Sequence, residues 1–211
     1  RALEDSPLVA QHLPLLRAAL GWVGHLPTRS RGTVGGSLAH ADPSAELPMS
    51  LLALDGEVTA YGPEGERRIA AVDLFQSLFS TALQPDEVLC QIRIPLMRPG
   101  AGWAVEEYSR RRGDFAIVAV AVVLEADGPR CSKARIAVAG VGGCAQRLAT
   151  VEQHLQQHGL SEPVLAQAAQ LAAAGVQPLS DPVASADYRR HLTGSLLQRA
   201  LQQAVQRMAQ H

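Results

Sequence analysis

Apolar residues recur at near-helical spacing through Leu8, Leu13, Leu15, Leu16, Ala19, Leu20 and Val23, which predicts a helix over 8–23 closed by Gly24 and Pro27. A Gly-Gly run follows. The stretch from Leu47 to Leu54 is then apolar and ends in the turn signal Asp55-Gly56. From Glu57 to Tyr61 apolar and polar residues alternate as in a strand. The segment Gly62-Pro63-Glu64-Gly65 can reverse the chain, and Glu66 to Ala70 can pair back as a hairpin. Val72 to Phe75 opens a short helix, Pro85-Asp86 makes a turn, and Val88, Cys90, Ile92 and Ile94 alternate along a strand over 87–94.

Pro95, Pro99, Gly100 and Gly102 cluster and mark a boundary, dividing the chain into 1–98 and 101–211. Trp103 to Ser109 reads as a strand. Phe115 to Leu124 is an almost unbroken apolar run, which predicts a buried strand. Asp127-Gly128 turns the chain, and Ser132 to Ala139 returns with Ala134, Ile136 and Val138 alternating, so a three-stranded antiparallel sheet is expected. Helices are expected over 145–158 and 162–174, with Gly159 and Gly175 past their ends as caps. Ser185 can cap a last helix, with Asp187 in its first turn and Leu197, Leu201, Ala204, Val205 and Met208 on one face. The fold class is α+β: a mixed piece followed by a sheet with a helical bundle.

With 211 residues and 47% apolar content, the chain can bury a proper core. A formal charge of -1 argues against a nucleic-acid surface, which needs a basic stripe. No apolar run reaches the length of a membrane span, and no secretory signal opens the chain. The first residue is Arg1, so the chain is expected to begin inside a longer protein. Cys90, Cys131 and Cys144 lie far apart, without the paired spacing of a zinc or iron–sulfur site. They are read as inert, as in a cytoplasmic protein.

Candidate chemistry gathers between Arg31 and Pro48, in Arg-Gly-Thr-Val-Gly-Gly-Ser-Leu-Ala-His-Ala-Asp-Pro-Ser-Ala-Glu-Leu-Pro. Gly35 and Gly36 have no side chain to keep a ligand from the backbone, and consecutive N–H groups in such a turn can form an anion-binding nest. Thr33 and Ser37 add hydroxyls, and Asp42 and Glu46 add acids suited to ribityl or ribose hydroxyls. A tight structural turn is the alternative. The spacing matches neither G-x-G-x-x-G nor the P-loop, and no Lys lies between Arg31 and Pro48. His154 and His158 are spaced like a helical metal pair but lack a third ligand, so they are read as helix surface. His40 either touches a ligand phosphate or packs. Arg110, Arg111 and Arg112 form a loop paired with Glu106 and Glu107, or a partner surface. There is no G-x-S-x-G and no triad, so no catalytic residue is assigned and no metal is expected.

The run from Arg31 to Pro48 resembles the second flavin-binding motif of the FAD (medium) subunits of molybdenum hydroxylases, the carbon monoxide dehydrogenase and xanthine dehydrogenase family. Three further segments are similar to that family in order along the chain: Pro85 to Pro95, Glu106 to Ile117, and Ser185 to Leu192. The resemblance implies the C-terminal half of a PCMH-type FAD-binding domain followed by a CO dehydrogenase flavoprotein C-terminal-like domain. It implies FAD held by Thr33, Val34, Gly35, Gly36 and Ser37, with Glu46 near the ribityl and phosphate region and Asp42 as a weaker candidate. Leu89 and Phe115 would lie near the flavin ring. It also implies a hetero-oligomer in which a molybdopterin-containing large subunit and a 2Fe–2S small subunit feed electrons to the FAD, and the FAD passes them to an acceptor. The family's earlier A-G-G-x-S-like loop has no counterpart before Arg31, so an N-terminal truncation and weak flavin binding are expected. Two rival readings are a PCMH-type oxidase with its own substrate and a flavin-free module that only docks partner subunits.

Overall fold

The computed structural model describes residues 1–128 and 130–209. It opens with α1 (Pro7–His12), α2 (Pro14–Leu20) and α3 (Leu26–Arg31), then α4 (Val34–His40) and α5 (Glu46–Ala53). The single helix expected over 8–23 is therefore two. Pro14 has no N–H and its ring disfavours the preceding turn, so the chain breaks at Leu13 and restarts with Pro14 in the first turn of α2. Helix α3 is an addition to the sequence reading. Pro27, read there as a terminator, sits in its first turn, where a missing N–H costs nothing.

The expected hairpin is β1 (Glu57–Gly62) with β2 (Gly65–Ala70), Glu57 lying opposite Ala70. After α6 (Ala71–Leu74) come the small pair β3 (Phe75–Ser77) and β4 (Ser80–Thr81). Then β5 (Val88–Arg93) returns to the free edge of β1, giving the order β2-β1-β5. The second sheet joins β6 (Gly102–Tyr108), β7 (Val118–Asp127) and β8 (Arg130–Ala139), all antiparallel; the short β9 (Gln146–Arg147) extends the expected three strands at the β8 edge. Because Gln146 and Arg147 pair there, α7 (Ala149–His158) begins later than the expected 145. It is followed by α8 (Glu162–Gly175) and α9 (Ala186–Met208). Gly159 ends α7 with φ 85°, but Gly175 is the last helical residue of α8 and Val176 leaves in an extended conformation, so Gly175 is no left-handed cap. Ser185 caps α9 as expected, accepting the Tyr188 N–H at 3.2 Å.

The unbroken apolar run in β7 has a physical cause: the sheet is covered on both faces. Val118, Val120, Val122 and Leu124 pack against the α7–α9 layer, whereas Ala119, Ala121 and Val123 face the N-terminal helices. Ala137 and Ala139 of β8 extend that second face, and its small side chains let α5 lie close to the sheet. The strand begins only at Val118; Phe115, expected within it, lies outside it and is 72% exposed. Just past α5, Asp55 meets Lys133 at 2.8 Å, Arg135 at 3.3 Å and Arg147 at 2.7 Å, tying the two parts together across the same seam.

Candidate cofactor site

Thr33 has an extended backbone, and its Oγ1 accepts the Gly36 N–H at 3.0 Å. The Gly-Gly run is thus the first turn of α4 rather than a nest, and neither glycine has a positive φ. Gly36 is needed for a different reason: a Cβ there would stand 2.8 Å from Thr33 Oγ1 and disrupt the cap. Gly35 lies against β5, where a Cβ would sit 3.7 Å from Leu89 Cδ2. With Gly36 committed to Thr33, Val34 and Gly35 are the first-turn N–H groups left without an intrahelical acceptor.

Helix α4 stops at Ala41, which has φ 52°, and Asp42 Oδ1 then accepts the Ser44 N–H at 2.8 Å. This Asx turn redirects the chain into α5, with Glu46 in its first turn. A cavity of about 940 Å³ opens in front of these elements, lined on one side by Thr33, Val34, Gly36, Ser37, Asp42 and Glu46. Thr28 and Ser30 of α3 line another wall, and Gly113, Asp114 and Phe115 of the β6–β7 loop a third. Of the residues to which the resemblance gives a flavin-binding role, Thr33, Val34, Gly36, Ser37, Asp42, Glu46 and Phe115 line the cavity, and Gly35 and Leu89 do not.

Several contributors were not legible in the sequence. Arg29 lines the cavity, but its Nη1 donates to the Val23 and Gly24 carbonyls, each at 2.9 Å, and its Nε to Glu4 at 3.1 Å. Gly113 has φ 90°, and a Cβ there would fall 2.4 Å from His25 Cε1, so only glycine lets the β6–β7 loop rest on His25. The Arg112 guanidinium lies 5.8 Å from the Trp22 ring centroid in the same contact. The one signal available for this contact was the Gly113-Asp114 pair itself, which reads as an ordinary loop.

Other candidates are placed elsewhere or differently. His40 lines the cavity and stacks on Phe79, their ring centroids 4.9 Å apart. His154 and His158 stack on each other at 4.6 Å, with His158 Nδ1 2.9 Å from the His154 carbonyl. Arg110 donates to the Val183 carbonyl at 2.8 Å. The expected pairing of the arginine run with Glu106 and Glu107 is overturned, because alternation along β6 turns the two acids to opposite faces. Glu106 is held by Arg199 and Gln203 of α9, and Glu107 is buried with neither oxygen partnered among the described residues. Cys131 is buried, Cys144 half-buried and Cys90 exposed.

The electrostatics of the cavity are set by burial. Burial, partly offset by a backbone hydrogen bond and reinforced by the Asp42 charge, pushes the Glu46 carboxyl up to about 7. Burial, reinforced by the charge of Glu46, pushes Glu107 up to about 8.

Residues 1–97 match the FAD binding domain in molybdopterin dehydrogenase, and residues 103–204 match the CO dehydrogenase flavoprotein C-terminal domain. The 6-hydroxypseudooxynicotine dehydrogenase complex subunit alpha of Paenarthrobacter nicotinovorans is 41% identical over 206 residues, which span 97% of this chain and 70% of that one. A carbon monoxide dehydrogenase structure from Hydrogenophaga pseudoflava superposes with a TM-score of 0.95 at 34% identity, covering 98% of this chain and 72% of that one. Quinoline 2-oxidoreductase from Pseudomonas putida 86 superposes with a TM-score of 0.90 at 36% identity, covering 97% and 71%. The fold is thus that of a flavoprotein. The chain belongs to the FAD-binding (medium) subunits of the molybdenum hydroxylases, the family of the carbon monoxide and xanthine dehydrogenases.

Proposed function

We propose that this chain seats FAD in the cavity between α3, α4, α5 and the β6–β7 loop and relays electrons within a molybdenum hydroxylase. The observation that carries this reading is the lining itself: a capped helix start with the Thr33 and Ser37 hydroxyls on one side, and the acids Asp42 and Glu46 beyond it. The residues fit the cofactor. The Val34 N–H group, beside Gly35, and the two hydroxyls suit a pyrophosphate, and Glu46 and Asp42 suit ribityl hydroxyls. Gly36 keeps the cap intact, and Leu89 supports the glycine turn from behind. Phe115, exposed on the cavity rim, supplies an aromatic face for a ring. Bound FAD supplies the redox chemistry; the protein's part is to bind, orient and shield it.

Residues 1–98 act as the FAD-binding part, and 101–211 as the C-terminal flavoprotein domain that closes the cavity. Electrons arrive from 2Fe–2S clusters of a small subunit, after a molybdopterin-containing large subunit has oxidised the substrate. Relatives named for carbon monoxide, quinoline and 6-hydroxypseudooxynicotine share this fold at 34–41% identity, which supports placing substrate choice in the large subunit. Titration with FAD, followed by flavin absorbance, tests the reading on the chain alone and after co-expression with its iron–sulfur and molybdenum subunits. One flavin per chain in either form supports it. A complex that assembles without flavin overturns it in favour of a docking module.

A further inference from the structure

The ladder between β7 and β8 ends where Ala119 lies opposite Ala139. Ile117 and Gly140 stand just beyond that last pair, and one side chain joins their carbonyls. Arg189, near the start of α9, donates from Nη1 to the Ile117 carbonyl at 2.6 Å and to the Gly140 carbonyl at 2.9 Å. Its Nη2 donates to Asp181 Oδ2 at 2.6 Å. Asp181 is itself fixed, its Oδ1 accepting the Val183 and Ala184 N–H groups at 2.8 and 2.9 Å. Arg189 is 6% exposed. A buried cation is costly unless it is paired and hydrogen-bonded, and here the planar fork spans three acceptors on three separate segments.

Both carbonyls lead to walls of the cavity. Ile117 is the last residue of the β6–β7 loop, two positions after Phe115, and its N–H donates to the Tyr108 carbonyl at 2.8 Å across the base of that loop. Gly140 has φ 80°, and a Cβ there would collide with the Ile117 carbonyl. Its N–H donates to the Pro43 carbonyl at 2.8 Å. Pro43 follows Asp42 in the turn between α4 and α5. A chain of contacts thus runs from Phe115 on one wall, through Ile117, Arg189 and Gly140, to Asp42 on another. Arg189 does not line the cavity, so it acts through the segments it holds. Methionine would fill much of the same space and leave both carbonyls without this donor.

We propose that Arg189 is a positioning residue for the cofactor: by clamping the Ile117 and Gly140 carbonyls to one guanidinium, it fixes the spacing between the loop that carries Phe115 and the turn that carries Asp42. The clamp itself does not depend on the flavin; its service to the cofactor rests on the FAD reading above. Lysine is no substitute, because a single ammonium lacks the fork that reaches two carbonyls and a carboxylate together.

The test compares R189M with the wild type, both as the full chain. Hydrogen exchange of the flavin-free proteins, read by mass spectrometry, reports the clamp. Amides of residues 113–118 and 140–144 should exchange about tenfold faster in R189M, the worth of one hydrogen bond to a charged group, while those of Val120 to Val123 keep their wild-type rates. Equal acceleration along the whole sheet means a merely structural role, and unchanged exchange means no clamp; either overturns the proposal, whatever the flavin does. FAD titration is a separate arm, made also with F115A and with the double variant R189M/F115A. R189M should weaken FAD binding about tenfold, and weaken it less where Phe115 is already gone, because the effect travels through that side chain. Equal losses in both backgrounds overturn the positioning role and leave the clamp standing. Failure of the wild type to bind FAD, alone or in its complex, counts against the flavin reading, and hydrogen exchange still decides the clamp. Should R189M not fold, R189K takes its place: the same local pattern of faster exchange supports the clamp, and exchange identical to wild type overturns it.

Discussion

Thr33 and Gly36 depend on each other: the hydroxyl caps the N–H of residue 36, and the missing Cβ is what lets it do so at 3.0 Å. Thr33→Ala should therefore cost about 1 kcal/mol of stability, measurable by urea unfolding. Gly36→Ala, which pushes a methyl onto the same oxygen, should show a similar loss. Both should weaken FAD binding about tenfold or more, because the first turn of α4 is then no longer held in place. A Gly36→Ala protein with unchanged flavin affinity would remove this turn from the site. At this scale the sequence was informative about residue type and less so about conformation. A Gly-Gly pair between hydroxyls announces close backbone approach, yet a helical start and a left-handed turn use the same residues. The capping bond of Thr33 decided between them. Glu107 was unreadable for a related reason: a Glu beside a second Glu looks solvated until the strand turns one inward.

The β6–β7–β8 sheet shows what an element-level pattern can and cannot convey. The apolar run ending at Leu124 announced a buried strand, and burial on both faces is what an unbroken run requires. Nothing in it identified the covering layers. The Ala119, Ala121, Ala137 and Ala139 face accepts α5 closely, and so a larger residue has no room. Ala121→Leu should destabilise by about 1–3 kcal/mol in denaturant unfolding. The Asp55 cluster holds the same contact by charge. Burial works against the Asp55 carboxylate, but hydrogen bonds from Lys133 and Arg147 outweigh it and hold its titration below the ordinary 3.8. Its stabilisation is therefore present above that pH and is lost as acid protonates it. Asp55→Asn should lower the melting temperature at neutral pH, with wild type falling towards the variant in strong acid. A constant difference down to the acid limit would contradict this. Helices α1 and α2 teach the opposite lesson, since continuous apolar spacing concealed a break that Pro14 alone imposes.

Over the whole molecule, the cavity exists because separated stretches converge, among them α3, the α4–α5 segment and the β6–β7 loop. The loop reaches the N-terminal part by resting Gly113 on His25 with φ 90°. Gly113→Val should lift this loop, lower flavin affinity and leave the far sheet intact. Flavin titration and near-ultraviolet circular dichroism would show the two effects separately, and unchanged affinity would mean that the loop is not part of the binding wall. The sequence by itself determined the order and type of most elements, the α+β class and the motif between Arg31 and Pro48, because hydrophobic periodicity, turn residues and glycine spacing are local properties. Only the tertiary structure decided which residues share the cavity, which acid is buried without a partner, and how the Ala face brings the two parts together. These depend on contacts between residues far apart in the chain, and no local pattern records which distant surface will cover a given face.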